Sequence, residues 1–575
     1  MHNKRLAEIL DEIADMLELE DGDRRFEIRA YRKAALNIET LQEDVADIID
    51  RGGSDALKEI PGVGAGIASK ILEYVSTGGI KKHSELKRKY PIDFTTLTAI
   101  QGLGPKKLFR LYKAIGVKDL QTLKKAVAQH KVSGIEGFGI RSEEEIGKGI
   151  SMLELGQGRV NIANALPAAE EIVSQLRSCK YISVAEVAGS ARRMKETVGD
   201  LDILVVSEDP DKAMDFAVHL PYVQSVLAMG STKASVVLKM GINCDIRVVE
   251  PESLGSAMQY FTGSKDHGVQ VRQIAVRKGY SLNEYGLFDK SKRKIGGKTE
   301  AEVYNKLGMD YIEPEMRENR GEVEAALAHK LPALVELKDI KGDLHTHTKH
   351  SDGNNTIEEM AVHACSIGLE YIGISDHSKS ERQAGGMDET GFKAYFDEID
   401  QVNKKLNGSI TVLKSGEVDI LKDGTLDLEN ETLRQMDYVV ASVHNNRAME
   451  KGEMTNRIIK AMETGFVDIL AHPTGRLINS REALQMDLDA VFDAAKENRV
   501  IVEIDASPER LDLNDENVIK ARSHRVRFSI DTDAHKTSNM DFMRYGVGVA
   551  RRGWLTKSDV INTLPLNRLL RIFQK

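Results

Sequence analysis

Two neighbouring stretches carry residues whose types and spacing suit phosphoryl chemistry: Gly189-Ser190-Ala191-Arg192-Arg193, then Gly199-Asp200-Leu201-Asp202-Ile203-Leu204-Val205-Val206. The second has the composition of a strand entering a core. Strand residues two apart face the same way, so Asp200 and Asp202 set two carboxylates side by side. Like charges that close need a cation between them, and Mg²⁺ takes one or two carboxylates together with substrate phosphates. Ser190 and Arg193 are then placed to hold those phosphates. A bare Asp-x-Asp is more often a solvated acidic strand end, with Arg192 and Arg193 as surface charge. The upstream Gly-Ser-x-Arg-Arg turns the reading toward a metal site. Asp245, in the β-type run Cys244-Asp245-Ile246-Arg247-Val248-Val249, is the best third carboxylate. Two metals about 4 Å apart in such a cage activate a hydroxyl and stabilise a leaving pyrophosphate.

A second constellation lies after residue 341, where nine of the fifteen histidines fall. Seven apolar β-type runs end near residues 347, 377, 417, 444, 472, 503 and 535, and each finishes on His, Asp or Glu. His345-Thr346-His347 puts two imidazoles on one strand face. Asp376-His377, Glu417, His444, His472, Glu503 and Asp533-Ala534-His535 add further strand-end groups. A mixed imidazole and carboxylate set suits Zn²⁺, Mn²⁺ or Fe²⁺ better than Mg²⁺ alone. His350, His363 and His524 fall outside this pattern and read as structural or solvated.

A third signal is Ile60-Pro-Gly62-Val-Gly64-Ala-Gly66, repeated as Ile100-Gln-Gly102-Leu-Gly104-Pro-Lys106-Lys107 and, more weakly, as Ile135-Glu-Gly-Phe-Gly. Glycine permits the positive φ of a sharp turn and lets another backbone come close. The amides at the start of the following helix can then bind a phosphate.

These groups need scaffolds. The first 150 residues read as short helices with no convincing strand. From about 155, a helix over 167–177 and β-type runs at 181–188, 201–206, 234–239 and 244–249 indicate a mixed α/β module. Residues 318–338, charged and helical with a break at Pro332, read as a linker. After 341, repeated strand–helix units argue for a parallel sheet closed into a barrel, whose active site lies at the carboxyl ends of the strands.

At 575 residues the chain needs about three to five domains. The 41% hydrophobic and 29% charged composition is that of a soluble globular protein, and no apolar run reaches the length of a membrane span. Its start has no apolar segment of the secretory kind. Cys179, Cys244 and Cys365 form neither a disulfide framework nor a metal spacing, which points to a reducing cytoplasm. The net charge of −9 hides a contrast: residues 81–131 hold thirteen Lys/Arg against three Asp/Glu, while residues 1–50 hold seven against fourteen. Such a basic stretch reads either as a solvated helix face or as a phosphate footprint, and its place just past a glycine turn favours the footprint.

Gly-Ser-x-Arg-Arg, Gly-Asp-x-Asp, Asp-Ile-Arg-Val-Val and Tyr260-Phe261-Thr262-Gly263-Ser264 together resemble the nucleotidyltransferase core of the family X DNA polymerases, the family of DNA polymerase beta. The resemblance implies that Asp200, Asp202 and Asp245 are catalytic and bind Mg²⁺ or Mn²⁺. It places Gly189, Ser190, Arg193, Gly199 and Gly263 at the incoming triphosphate, Tyr260 and Phe261 against its sugar, and Arg272 toward the template minor groove. The glycine repeats resemble the helix-hairpin-helix, which grips the DNA backbone and recruits K⁺ or Na⁺; Gly62, Gly64, Gly66, Gly102, Gly104, Lys106 and Lys107 would contact DNA. The later histidines look like the PHP (polymerase and histidinol phosphatase) domain. That resemblance makes His345, His347, Asp352, His377, Glu417, His444, His472, Asp533 and His535 ligands for up to three Mn²⁺ or Zn²⁺ ions. Glu417 would bridge two of them, and Glu503 would orient a histidine.

The expected fold is multidomain α and α/β. A helix-hairpin-helix, lyase-like domain covers 1–80 and a second DNA-binding one 81–150. An α+β palm covers 151–250, a thumb-like nucleotide-selecting subdomain 251–317, a linker 318–340, and a distorted TIM-like (β/α)7 PHP barrel 341–575. Two departures from the family pattern stand out. Gly268 occupies the place of an Asn that bonds the incoming base. Lys70 aligns with the Schiff-base lysine of the family's lyase, yet Phe26, Glu27 and Gly66 stand where phosphate-binding basic residues belong. Lys70 therefore reads either as a helix lysine touching DNA or as a lyase nucleophile. The expected whole is a monomeric, cytoplasmic repair polymerase acting on gapped or nicked DNA and dNTPs beside other base excision repair enzymes. The 3′→5′ exonuclease, 3′-phosphatase or abasic-site endonuclease would reside in the barrel. A DNA-end-processing phosphoesterase with a weak polymerase core, and a non-catalytic DNA scaffold, are the alternatives.

Overall fold

The computed structural model describes residues 2–20, 24–39, 45–60, 62–98, 100, 103–154 and 159–574. They form two compact units, Met1–Gly158 and Arg159–Lys575.

The first unit is helical throughout its described residues. One core runs from Leu6 to Ile150 and joins the stretches expected as two domains. At the first glycine turn, Gly62 takes φ +92° and Gly64 caps Ala65–Thr77 from an extended conformation. At the second, Gly104 caps Pro105–Ile115, where proline at the first position has no helical hydrogen bond to lose. Gly116 ends that helix in the left-handed region. Flanking apolar residues (Ile60, Val63, Ile67, Ile71; Leu103, Leu108, Leu111) are buried, so each turn is anchored from below while its polar face stays open.

The second unit begins with a five-stranded sheet in the order Ile182–Val187, Asp200–Ser207, Asn243–Val249, Lys233–Leu238, Val223–Met229. Asp200–Ser207 and Asn243–Val249 run parallel; the other pairings are antiparallel. Ile203, Leu204 and Val205 are fully buried, as a central strand requires. Val223–Met229 was not foreseen: it is an edge strand whose side chains are mostly exposed, so no apolar run marks it. Next come Leu254–Thr262, Lys265–Arg277, a small three-stranded sheet and Glu300–Lys306.

Residues 318–340, read as a linker, are packed. Glu322 is fully buried, accepts from the Asn319 and Arg320 amides and bonds His267 Nδ1 at 2.7 Å. Val323 and Ala326 join the core of the 254–316 region.

The last part is a seven-stranded parallel barrel: Gly342–Asp343, Tyr371–Ile374, the broken strand Thr411–Lys414 and Glu417–Asp419, Val440–Ser442, Ile469–Leu470, Ile501–Asp505 and Phe528–Asp531. Parallel bridges at His377–Glu417 and Thr346–Ala534 carry the ring past the break and close it. The closure is tied by the Leu344 amide on Asp531 at 2.8 Å and the Thr532 amide on Asp343 at 3.1 Å. Barrel and palm share a continuous apolar core. No helix of the described residues is long and apolar enough to cross a membrane.

Candidate active sites in the palm and the barrel

In the palm, the parallel register sets Asp202 directly beside Asp245, and Asp200, two residues before Asp202, lies on the same face. Burial, and then repulsion from Asp200 and Asp245, push the Asp202 carboxyl up to about 6. Burial works the same way on Asp245, but Lys233 at 2.9 Å, Ser235 at 2.5 Å and Arg247 at 2.8 Å outweigh it and hold that carboxyl below its usual range. A cation would relieve the repulsion on Asp202, so the acid set fits Mg²⁺ or Mn²⁺. Among the described residues the three carboxylates do not converge into one ligand set. Asp245 is turned to its cations.

Gly189 opens the turn next to Asp202 with φ +66°, and a β-carbon there would lie 2.7 Å from Asp202 Oδ2. Only glycine allows this approach. Ser190 follows in the same turn. The two arginines differ. Arg192 makes a bidentate pair with Glu300 (2.6 and 3.0 Å) and is structural. Arg193 donates to Glu318 at 3.0 Å and to the Thr262 carbonyl, beside Gly263. Gly199 lies against Arg159. Tyr260 is 41% exposed and packs edge-on to Phe261, whose ring lies under Arg247. Arg272 lies 5.8 Å from the Tyr260 ring centre, and its Nη1 is 3.3 Å from where a side chain on Gly268 would begin. The missing side chain thus leaves room that a guanidinium partly fills.

In the barrel, Glu417 is the centre. Its carboxylate is buried, with ring nitrogens of His345, His347, His377, His444 and His472 at 3.3, 3.5, 3.0, 3.3 and 2.9 Å. His347 is 3.1 Å from Asp533, and His535 is 3.3 Å from Asp352 at the rim. Three converging sets emerge: His347, Asp352, His377, His535; His345, His347, Asp533; and His377, Glu417, His444. Buried ring nitrogens of His345, His347 and His377 have no hydrogen-bond partner among the described residues. Burial, with His535 and His377 adding repulsion, pushes His347 down to about 4; burial, then Arg510, pushes His472 down to about 3. Burial lowers His345 and His377 too, but Glu503 with Glu417, and Glu417 with Asp352, outweigh it and hold both above the usual imidazole range. A metal takes the neutral imidazole, so it displaces a proton from these two rings. The opposite ring nitrogens are held: His345 Nδ1 by Glu503 at 2.7 Å, His444 Nδ1 by Asp419 at 2.9 Å, His535 Nδ1 by the Asp533 carbonyl at 2.7 Å. Each bond turns Nε2 toward the cage.

All nine expected barrel ligands therefore meet at one mouth. Sequence reasoning missed Glu381 and Asp419, which form a fourth set with His444, and Arg510, which lines the cavity. Asp419 was findable: it shares the face of Glu417, two residues on. Glu381 and Arg510 come from loops, where no periodicity points. His350 and His524 bond to carboxylates away from the cage.

In the helical unit, Gly62 touches the Lys33 side chain, while Gly64 and Gly66 face open space. Lys70 Nζ donates to the Gly66 carbonyl at 3.1 Å and lies 5.9 Å from the Tyr31 ring centre. Phe26 is 84% exposed, and Glu27 is paired with Lys82 and Arg24. Gly104, Lys106 and Lys107 are exposed. Gly102 lies outside the described residues.

Comparison with known proteins supplies the context. Residues 1–80 match the family described as Helix-hairpin-helix domain, 94–149 the SAM-like Helix-hairpin-helix tandem, 257–318 DNA polymerase beta thumb and 343–507 PHP domain. The chain is 37% identical over 569 residues, 98% of each chain, to the DNA polymerase/3'-5' exonuclease PolX of Bacillus subtilis (strain 168). Over 232 residues, 38% of this chain and 89% of the other, it is 29% identical to a probable phosphatase of Thermoanaerobacter sp. (strain X514). A solved Leishmania infantum polymerase beta ternary complex aligns with 39% of this chain and 97% of its own at 22% identity and TM-score 0.32, a likeness too low to carry an argument.

Proposed function

The chain belongs to the family X DNA polymerases that carry a C-terminal PHP domain, and we propose that its palm fills short gaps in DNA while its barrel trims the 3′ ends that block filling. It is a metal-dependent enzyme, a DNA polymerase with a 3'-5' exonuclease. The observation that carries the division of labour is two separate ligand nests in one unit, one all carboxylate and one rich in imidazole.

In the palm, Asp200, Asp202 and Asp245 would hold Mg²⁺ or Mn²⁺, which activates the primer 3′-hydroxyl and stabilises the pyrophosphate. Arg193, Ser190 and the Gly189 turn face the triphosphate; Tyr260 and Phe261 bound its sugar, and Arg272 reaches the minor groove. In the barrel, Mn²⁺ or Zn²⁺ on the nine ligands would activate a water toward a phosphate ester. The two glycine turns grip the backbone of gapped or nicked duplex with K⁺ or Na⁺, in the cytoplasm, as a monomer beside other base excision repair enzymes. Lys70 is a DNA contact in this reading; borohydride trapping of an abasic-site duplex on Lys70 would assign it the lyase role instead.

The test uses a gapped duplex, dNTPs and Mg²⁺ or Mn²⁺ with wild type, Asp200→Ala and His345→Ala. Extension lost only in the first and trimming only in the second is the expected result. A wild type that trims but does not extend favours a DNA-end phosphoesterase, and one that does neither favours a DNA-binding scaffold.

A further inference from the structure

Next to the histidine cage lies an arginine cluster that the metal chemistry does not use. The Gly475 carbonyl, three residues past His472, accepts from Arg447 Nη2 at 2.8 Å and from Arg481 Nε at 3.1 Å. Arg510 faces the same region and lines the cage cavity with His472 and Asp533. Its Nε lies 3.3 Å from Asp505 and 3.5 Å from Asp533, while its Nη1 is buried with no hydrogen-bond partner among the described residues.

A latch for the Gly475 loop does not account for this arrangement. A guanidinium carries five N–H donors. Arg481 uses one, and Arg447 uses one at good length and a second at 3.5 Å on the Val443 carbonyl. Neither has a carboxylate at ion-pair distance among the described residues, and Asp512, an acid felt by both, is buried and bonded to Thr474. Burial, then repulsion from Arg481 and Arg510, push Arg447 down to about 10. Asp505 and Asp533 offset the charge of Arg510, but Arg447 and Arg481 have spare donors and no such carboxylate. An anion would relieve them, and paired N–H groups of arginine match phosphate oxygens.

We propose that Arg447, Arg481 and Arg510 form a phosphate track leading into the barrel: Arg510 meets the phosphate being cut, and Arg447 with Arg481 hold the next phosphodiester on its 5′ side. This rests on the barrel being a phosphoesterase and names the residues that hold the strand beyond the phosphate being cut.

The test compares Mn²⁺-loaded full-length wild type with Arg447→Ala, Arg481→Ala and the double variant. The substrates are a single-stranded oligonucleotide and thymidine 5′-p-nitrophenyl phosphate, which has one phosphodiester. The ratio of the two kcat/KM values should fall about tenfold or more in the double variant, through KM on the oligonucleotide, with a shallower salt dependence. Arg510→Ala should lower both substrates. Equal losses on both in the double variant, or no loss on either, overturn the track. Wild type inactive on both would sink the phosphoesterase reading. The track is then judged by binding of a phosphorothioate trithymidylate: affinity about tenfold weaker in the double variant supports it, and equal affinity removes it.

Discussion

Arg193 donates from Nε to Glu318 at 3.0 Å, and the same carboxylate oxygen accepts from Arg552 Nη1, also at 3.0 Å. The arginine expected at the triphosphate is therefore tied, through one carboxylate, to a helix of the barrel, Met543–Arg552. Glu318 orients Arg193 and also neutralises it.

Removing that charge should free Arg193 for phosphate. Glu318→Gln is expected to lower KM for the incoming nucleotide about three- to tenfold in gap-filling kinetics. The cost in stability should be about 1–3 kcal/mol, because buried Arg552 loses one of its two carboxylate partners among the described residues. A raised KM would mean that orientation outweighs neutralisation.

Gly189→Ala places a methyl 2.7 Å from Asp202 Oδ2 at a residue with φ +66°. Primer extension should fall about 100-fold or more, since a small misplacement of a catalytic group is enough. Trimming of the same duplex should persist. Equal loss of both activities would show that the substitution acts through folding.

Glu503 holds His345 Nδ1 and the His472 amide from a fully buried position. Glu503→Gln should weaken metal binding at the barrel about 10- to 100-fold, measured as metal content after dialysis against a graded chelator. Stripping metal from wild type should lower its unfolding temperature, because the folded state loses a ligand. A variant with wild-type metal content would remove Glu503 from its orienting role.

Burial alone would raise the Glu300 carboxyl, but Arg317 and Arg192 outweigh it and hold it below its usual 4.5. With the folded value lowered, the unfolded chain takes up the proton first. The stability this network contributes is thus complete above about pH 4.5 and is lost as pH falls through the folded value. Glu300→Gln should be less stable than wild type by about 3 kcal/mol at pH 7, since it leaves fully buried Arg317 short of its counter-charge. Denaturant titrations should find that gap closing below pH 4.5. A gap independent of pH would contradict the assignment.

Much of both sites was legible along the chain. Two aspartates two apart in a β-type run must share a face, whatever the fold, because the backbone alternates. Histidines and acids ending successive strands of a barrel must meet at one rim. Glycine turns announced their helices because only glycine accepts the required φ at Gly62.

Tertiary structure alone decided what depends on residues distant along the chain. The register that sets Asp202 beside Asp245 comes from pairing two strands 43 positions apart, and no local pattern encodes it. Packing chose Glu417 as the hub of the histidines, gave Arg192 to Glu300 and Arg193 to Glu318, and gathered Arg447, Arg481 and Arg510 from three loops. Local periodicity reports which way a side chain points; what it meets there is fixed only when the chain closes into a core.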